Sequence, residues 1–184
     1  MELIRAVAPD QECVIADIGG GASLLVDRLL DQGYHEPVVV DISDSALDQA
    51  RGRLGKRCTD VIWLPADARH VRLPKQVDVW HDRAVFHFLT DPADREAYLD
   101  TVKAALKPGG HVVIATFGHG GPERCSGLVV ERYDCARLSE FFGAEFEPVR
   151  CFQRQHLTPA GAAQEFTYAV FRRLGSQSLE RGAQ

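Results

Sequence analysis

The sequence predicts an α/β fold, a doubly wound, Rossmann-like sheet of parallel strands with helices on both faces. Three observations predict it. Short Val and Ile runs are apolar without alternation, the segments between them carry helical periodicity, and glycine or proline marks most of the switches. The 184 residues, 45% hydrophobic and 26% charged, suit one globular domain, read over 1–174, and exclude a disordered chain.

CVIADI (13–18) closes on glycines and reads as the first strand. ASLLVDRLLDQ (22–32) sets Leu24, Leu25 and Leu29 on one helical face and stops at Gly33. PVVVD (37–41) is a second buried strand, and DSALDQARGRL (44–54) a helix capped by Ser43 or Asp44. DVIWLPAD (60–67) and QVDVWHD (76–82) are the third and fourth strands, with Trp63 and Trp80 read as core. Asp91-Pro92 opens a helix with proline in its first turn, striped by Tyr98, Leu99, Val102 and Leu106 and ended at Pro108-Gly109. HVVIATF (111–117) is the fifth strand. Residues 118–133 hold four glycines and a proline and read as a long loop of the kind that carries function. A helix follows from about Asp134, with Leu138, Phe141 and Phe142 inward. The stretches 146–157 and 165–173 then read as an antiparallel hairpin at the sheet edge, and 175–184 as a polar, disordered tail.

Composition narrows the function classes. Lys plus Arg total 21 against 26 Asp plus Glu, a net charge of −5, which speaks against nucleic acid as a partner. No run approaches the ~20 apolar residues of a membrane span, and MELIRAVAPDQE lacks the basic and apolar parts of a leader. The expectation is a cytoplasmic monomer or homodimer. Five scattered cysteines without C-x-x-C argue against disulfides and a structural zinc site, and the seven histidines form no H-x-x-x-H pair, so no metal is expected.

Ligands of open α/β sheets bind beyond the carboxyl ends of the strands. There the chain has DIGGGAS (17–23), in which glycines let backbone approach a ligand. Leu24 stands where a nicotinamide fingerprint wants its third glycine, which leaves an NAD oxidoreductase as a weak competitor. Asp41 ends the second strand 24 residues after Asp17, placed to accept from both hydroxyls of a ribose; Asp67, after the third, suits an exocyclic amine of adenine. His81, His87 and His156 are candidate bases near neutral pH, with His87 read as projecting from the turn after strand four. Arg83 is a candidate for a substrate carboxylate or for pairing with Asp82, and Arg124, Cys125 and Tyr133 for further substrate contacts.

VIADIGGGAS, VVVDIS, LPADA, VDVWHDRAVFHFL and LKPGGHVVIATF, in this order and followed by a terminal hairpin, carry a family resemblance. Over about residues 12–173 the chain resembles the class I S-adenosylmethionine-dependent methyltransferases. The resemblance implies a seven-stranded sheet in the order 3-2-1-4-5-7-6 with strand 7 antiparallel, and S-adenosyl-L-methionine as cofactor, leaving as S-adenosyl-L-homocysteine. It implies that Asp17, Gly19, Gly20 and Gly21 hold the methionine end, Asp41 with Ile42 beside it the ribose, and Asp67 and Ala68 the adenine. Asp82 and Arg83 would line the methyl-donor pocket, with His87, His156 and Arg83 as the catalytic candidates. Family members usually carry helix ahead of the first strand. Only about 12 residues precede Cys13, so either the cover comes from elsewhere, with 118–133 and a partner subunit as candidates, or the site is more open than usual. The expected reaction is methyl transfer to a small thiol, amine, hydroxyl or carboxylate. The alternatives are a protein (lysine) methyltransferase and a non-catalytic binding module. His81-Asp82-Arg83-Ala84 stands where a protein methyltransferase often has an N-P-P-Y-like segment.

Overall fold

The computed structural model describes residues 1–157, 161 and 163–175. Four parallel crossovers build the sheet from β1 (Ile15–Ile18), β2 (Val38–Asp41), β3 (Ile62–Pro65), β4 (Val77–Arg83) and β5 (Leu106–Phe117). The hairpin β8 (Phe146–Leu157) and β9 (Ala163–Arg173) joins β5 in antiparallel register, giving the order β3-β2-β1-β4-β5-β9-β8. The two strands β6 (Arg124–Cys125) and β7 (Leu128–Val129) form a separate small hairpin inside the expected loop. Numbered within the main sheet alone, the order is the expected 3-2-1-4-5-7-6.

Period-two geometry sends neighbouring side chains to opposite faces. On one face Ile15, Val79, Val113 and Val170 pack against α1 (Glu2–Val7) and α2 (Leu25–Asp31). On the other, Ala16, Trp80, Val112 and Phe171 meet α4 (Pro92–Ala105) and α5 (Cys135–Phe142), with Tyr98, Val102 and Phe142 fully enclosed. α3 (Asp44–Leu54) buries Leu47 and Leu54 against Val39. Oxygen caps start three helices: Ser43 accepts from the Ala46 amide, Asp91 from Ala93 and Asp134 from Arg137.

Several expectations are corrected. Residues 2–7 form a helix, so a short cover does precede β1. Leu24 is 54% exposed rather than core, because α2 begins only at Leu25. Cys135, at the start of α5, is disulfide-bonded to Cys151 on β8 across a Cα–Cα distance of 5.9 Å, a pairing the 16-residue separation did not reveal. Most of the expected tail lies outside the described residues. Among the described residues no helix is long and apolar enough to cross a membrane.

Candidate active site

Three adjoining cavities run along the carboxyl ends of the strands. The first, about 620 Å³, lies over β1, β2 and β3 and is lined by Asp41, Ile42, Ala68, Val85, Leu89 and Leu128 among others. It shares Gly19 and Ala84 with the second, about 580 Å³, where Asp17, Ser23, Arg28 and His81 stand. The third, about 460 Å³, lies towards β4, β5, β8 and β9 and shares Arg28, Arg83 and His156 with the second. Such volumes suit a cofactor and a small acceptor.

The glycine turn after β1 is shaped by what stands opposite. Gly19 has φ +68°, and a Cβ there would lie 2.1 Å from Cγ2 of Val85. A Cβ on Gly21 would lie 2.4 Å from a carboxylate oxygen of Asp41, so glycine keeps that carboxylate open. Gly20 packs likewise on Asp17. Asp17 is 3% exposed; its Oδ1 meets His81 Nδ1 at 2.8 Å, while Oδ2 has no partner. The pair follows from register, since Asp17 and His81 are direct neighbours on one face of β1 and β4. Asp41 Oδ1 accepts from the Ser43 amide at 2.8 Å, which aims the carboxylate and leaves its second oxygen available.

The turn after β4 is held from below. Asp82 is fully buried and accepts from the Val85 and Phe86 amides and, at 2.7 Å, from the Tyr98 hydroxyl, which itself accepts from Trp80 Nε1 at 2.9 Å. Burial raises the Asp82 pKa to about 6 against these donors, and it pushes the Tyr98 hydroxyl well above its usual value. Above this network Ala84 sits at φ +67°, a left-handed conformation that is uncommon without glycine. Asp82 lines the third cavity as expected, but its carboxylate is taken up by the Val85 and Phe86 amides and the Tyr98 hydroxyl, so it shapes the turn.

Two more expectations change. His87 is fully buried and lines none of the three cavities; its Nδ1 accepts from the Phe117 amide at 3.4 Å, and burial holds its pKa down at about 4. An enclosed, neutral imidazole cannot reach a substrate proton, so His87 leaves the list of bases. Asp67 does line the first cavity, but Arg69 binds both of its oxygens and also bonds Asp94. The Arg69 guanidinium holds the Asp67 carboxyl below its usual value, and the carboxylate is committed to that wall. Arg83 and His156 remain exposed; the Arg83 guanidinium lies 5.4 Å over the Phe166 ring. Sequence reasoning missed Arg28, Leu89 and Leu128, whose apolar or helical surroundings signal only packing.

A glycine turn after β1, an open carboxylate at the β2 tip and an antiparallel terminal hairpin define a class I S-adenosylmethionine-dependent methyltransferase fold. The family model described as "Methyltransferase domain" matches residues 15–110, just over half of the chain, and the chain belongs to that family. Among solved structures it is similar to the N-methyltransferase NodS from Bradyrhizobium japonicum WM9, with 20% identity over 95% of this chain and 93% of that one and a TM-score of 0.74. It is also similar to 1,6-didemethyltoxoflavin-N1-methyltransferase from Burkholderia thailandensis, solved with 1,6-didemethyltoxoflavin and S-adenosylhomocysteine. There the identity is 20% over 95% and 76% of the two chains, at a TM-score of 0.74. A methyltransferase structure from Methanosarcina mazei gives 0.78 at 16% identity, over 95% and 98%. No protein of curated function matches the chain in sequence.

Proposed function

We propose that this chain transfers the methyl group of S-adenosylmethionine to a small-molecule acceptor. The observation that carries the reading is the run of three joined cavities, with the open Asp41 oxygen in the first and the unpartnered Asp17 oxygen beside the second. The chain fits the cofactor on its own geometry: side chains at Gly19 or Gly21 would fill the cradle, and the second oxygen of Asp41 is left open towards it. In this reading Asp41 accepts from the ribose, Ile42, Ala68, Leu89 and Leu128 enclose the adenine, and Arg28 binds the methionine carboxylate. Asp17, with Gly19 to Gly21, takes the amino end.

Bound there, the sulfonium supplies an electrophilic methyl that passes to an acceptor lone pair while the broken S–C pair stays on sulfur. The protein's share is alignment and exclusion of water, to which positioning contributes up to ~7–11 kcal/mol. Arg83, beside the turn fixed by Asp82, lines both the second and the third cavity, and Met1 with Leu3 of α1 walls the third. His156 is the base available to an acceptor that arrives protonated, because His81 is tied to Asp17. A small acceptor is favoured over a protein by the 460 Å³ cavity, whose charged lining is mostly basic.

The test is methyl transfer from labelled S-adenosylmethionine across small thiols, amines, phenols and acids. Turnover of a small acceptor supports the reading. Labelling only of added protein would favour the protein methyltransferase instead.

A further inference from the structure

The two halves of the strand-end edge carry opposite charge. Carboxylates stand at the tips of β1, β2 and just after β3, whereas the third cavity is lined by Arg28, Arg83 and Arg154 with His81 and His156. The acids near those cations are engaged elsewhere or stand at the rim. Asp82 is turned into the core, Asp17 is bonded to His81, and the exposed Glu2 lies 3.9 Å from Arg150. Among the described residues Arg83 and Arg154 enter no ion pair. A chain of net charge −5 thus gathers unmatched arginines at one cavity, and like charges so gathered repel until an anion joins them.

The same cavity has an apolar floor. Phe152 and Tyr168 stack across β8 and β9 at 5.4 Å and 11°, and Tyr168 stands 6.1 Å from Phe166, the ring beneath the Arg83 guanidinium. A guanidinium laid on a ring keeps its edge donors free for a planar anion.

Resting on the functional reading above, we propose that the methyl acceptor is a small anion. Its carboxylate or phosphate monoester is held by Arg83 and Arg154, and its apolar body lies on Phe152 and Tyr168. Arg28 is kept apart from this pair because in the second cavity it stands with Ser23 and Leu24, where the methionine carboxylate belongs, whereas Arg83, which lines both cavities, lies over the Phe166 ring on the hairpin side. The anionic group is the handle and not the atom methylated, since lone pairs committed to two guanidiniums are poor nucleophiles. The nucleophile is a second group of the same molecule, on the side of His156.

The test uses the full chain saturated with S-adenosylhomocysteine and titrated with matched pairs. These are benzoate and benzamide, phenylacetate and phenylacetamide, hexanoate and hexanamide, and phenyl phosphate and phenol. At least one anion should bind about tenfold or more tightly than its neutral partner, the scale of a charge-assisted contact. The carboxylate and phosphate pairs then show which group is the handle. Arg154→Gln should erase the preference and Arg154→Lys keep part of it, both with S-adenosylhomocysteine affinity unchanged, since Arg154 lines the third cavity and not the second. The inference is overturned if no anion binds more tightly than its partner, or if the preference survives both Arg83→Gln and Arg154→Gln. If the wild-type chain does not take up S-adenosylhomocysteine, the functional reading beneath it fails instead.

Discussion

The β1–β3 half of the strand-end edge and the β4–β9 half are built by different means. In the first, each functional group follows its own strand within a few residues, and glycines and carboxylates do the positioning. In the second, the lining comes from α1, β4, β5, β8 and β9, segments as far apart in the chain as Leu3 and Tyr168, brought together as β4 pairs with β5 in parallel and β9 with β5 and β8 in antiparallel register. The first half is a local device suited to one constant ligand. The second is a tertiary device in which a hairpin side chain can change without disturbing the cofactor.

That contrast breaks most easily at the turn between the halves. Asp82→Ala leaves the Tyr98 hydroxyl and two amides without their acceptor, and should cost about 3–5 kcal/mol of stability in urea unfolding. A loss below 1 kcal/mol would show that the network does not hold the strained Ala84. In the second half, Cys135 and Cys151 tie α5 to β8, and Cys151→Ser should lower stability by about 3 kcal/mol, the scale for a loop of this length. S-adenosylhomocysteine affinity should not move; a large drop would mean that the halves are coupled through β8. In the first half, Asp41→Ala should weaken S-adenosylhomocysteine by about 1.5–3 kcal/mol in calorimetry and leave the fold intact. Unchanged affinity would refute the ribose assignment.

The smallest effect is a cancellation. The folded chain keeps Asp82 protonated up to about pH 6, the unfolded chain only to about 3.8, so its share of stability grows as pH falls from 6.5 to 4.5. His87 works in reverse. The unfolded imidazole takes a proton near pH 6.5 and the folded one only near 4, so stability is lost over the same interval. Each swing is about 2 kcal/mol, and the pair leaves the wild-type profile shallow there. His87→Leu should expose the Asp82 arm, and its urea midpoint should rise on acidification from pH 6.5 to 4.5. A midpoint that falls as steeply as pH drops would contradict the assignment.

Legibility in the sequence follows the same division. The parallel strands, the Asp91 and Asp134 caps and the glycine cradle were readable because period, cap chemistry and turn chemistry are local. The places of Asp17 and Asp41 at the carboxyl ends of β1 and β2 were readable because the strands themselves were. His87 was misread because a turn residue looks exposed until Phe88 and Phe117 are seen packed on its ring. Asp67 was read as free because its partner Arg69, two residues on, could as well have pointed to solvent. The Cys135–Cys151 bond, the α1 cover and the presence of Arg28 and Arg154 beside Arg83 in the third cavity depend on which distant segments meet, and no local pattern carries that information.

The central claim is that the first two cavities together hold S-adenosylmethionine. Isothermal titration of the folded wild-type chain with S-adenosylhomocysteine tests it most directly, with NAD as the control ligand. The account predicts saturable one-to-one binding of S-adenosylhomocysteine and none of NAD. A folded chain that gives no heat with S-adenosylhomocysteine, or binds NAD in its place, would contradict it.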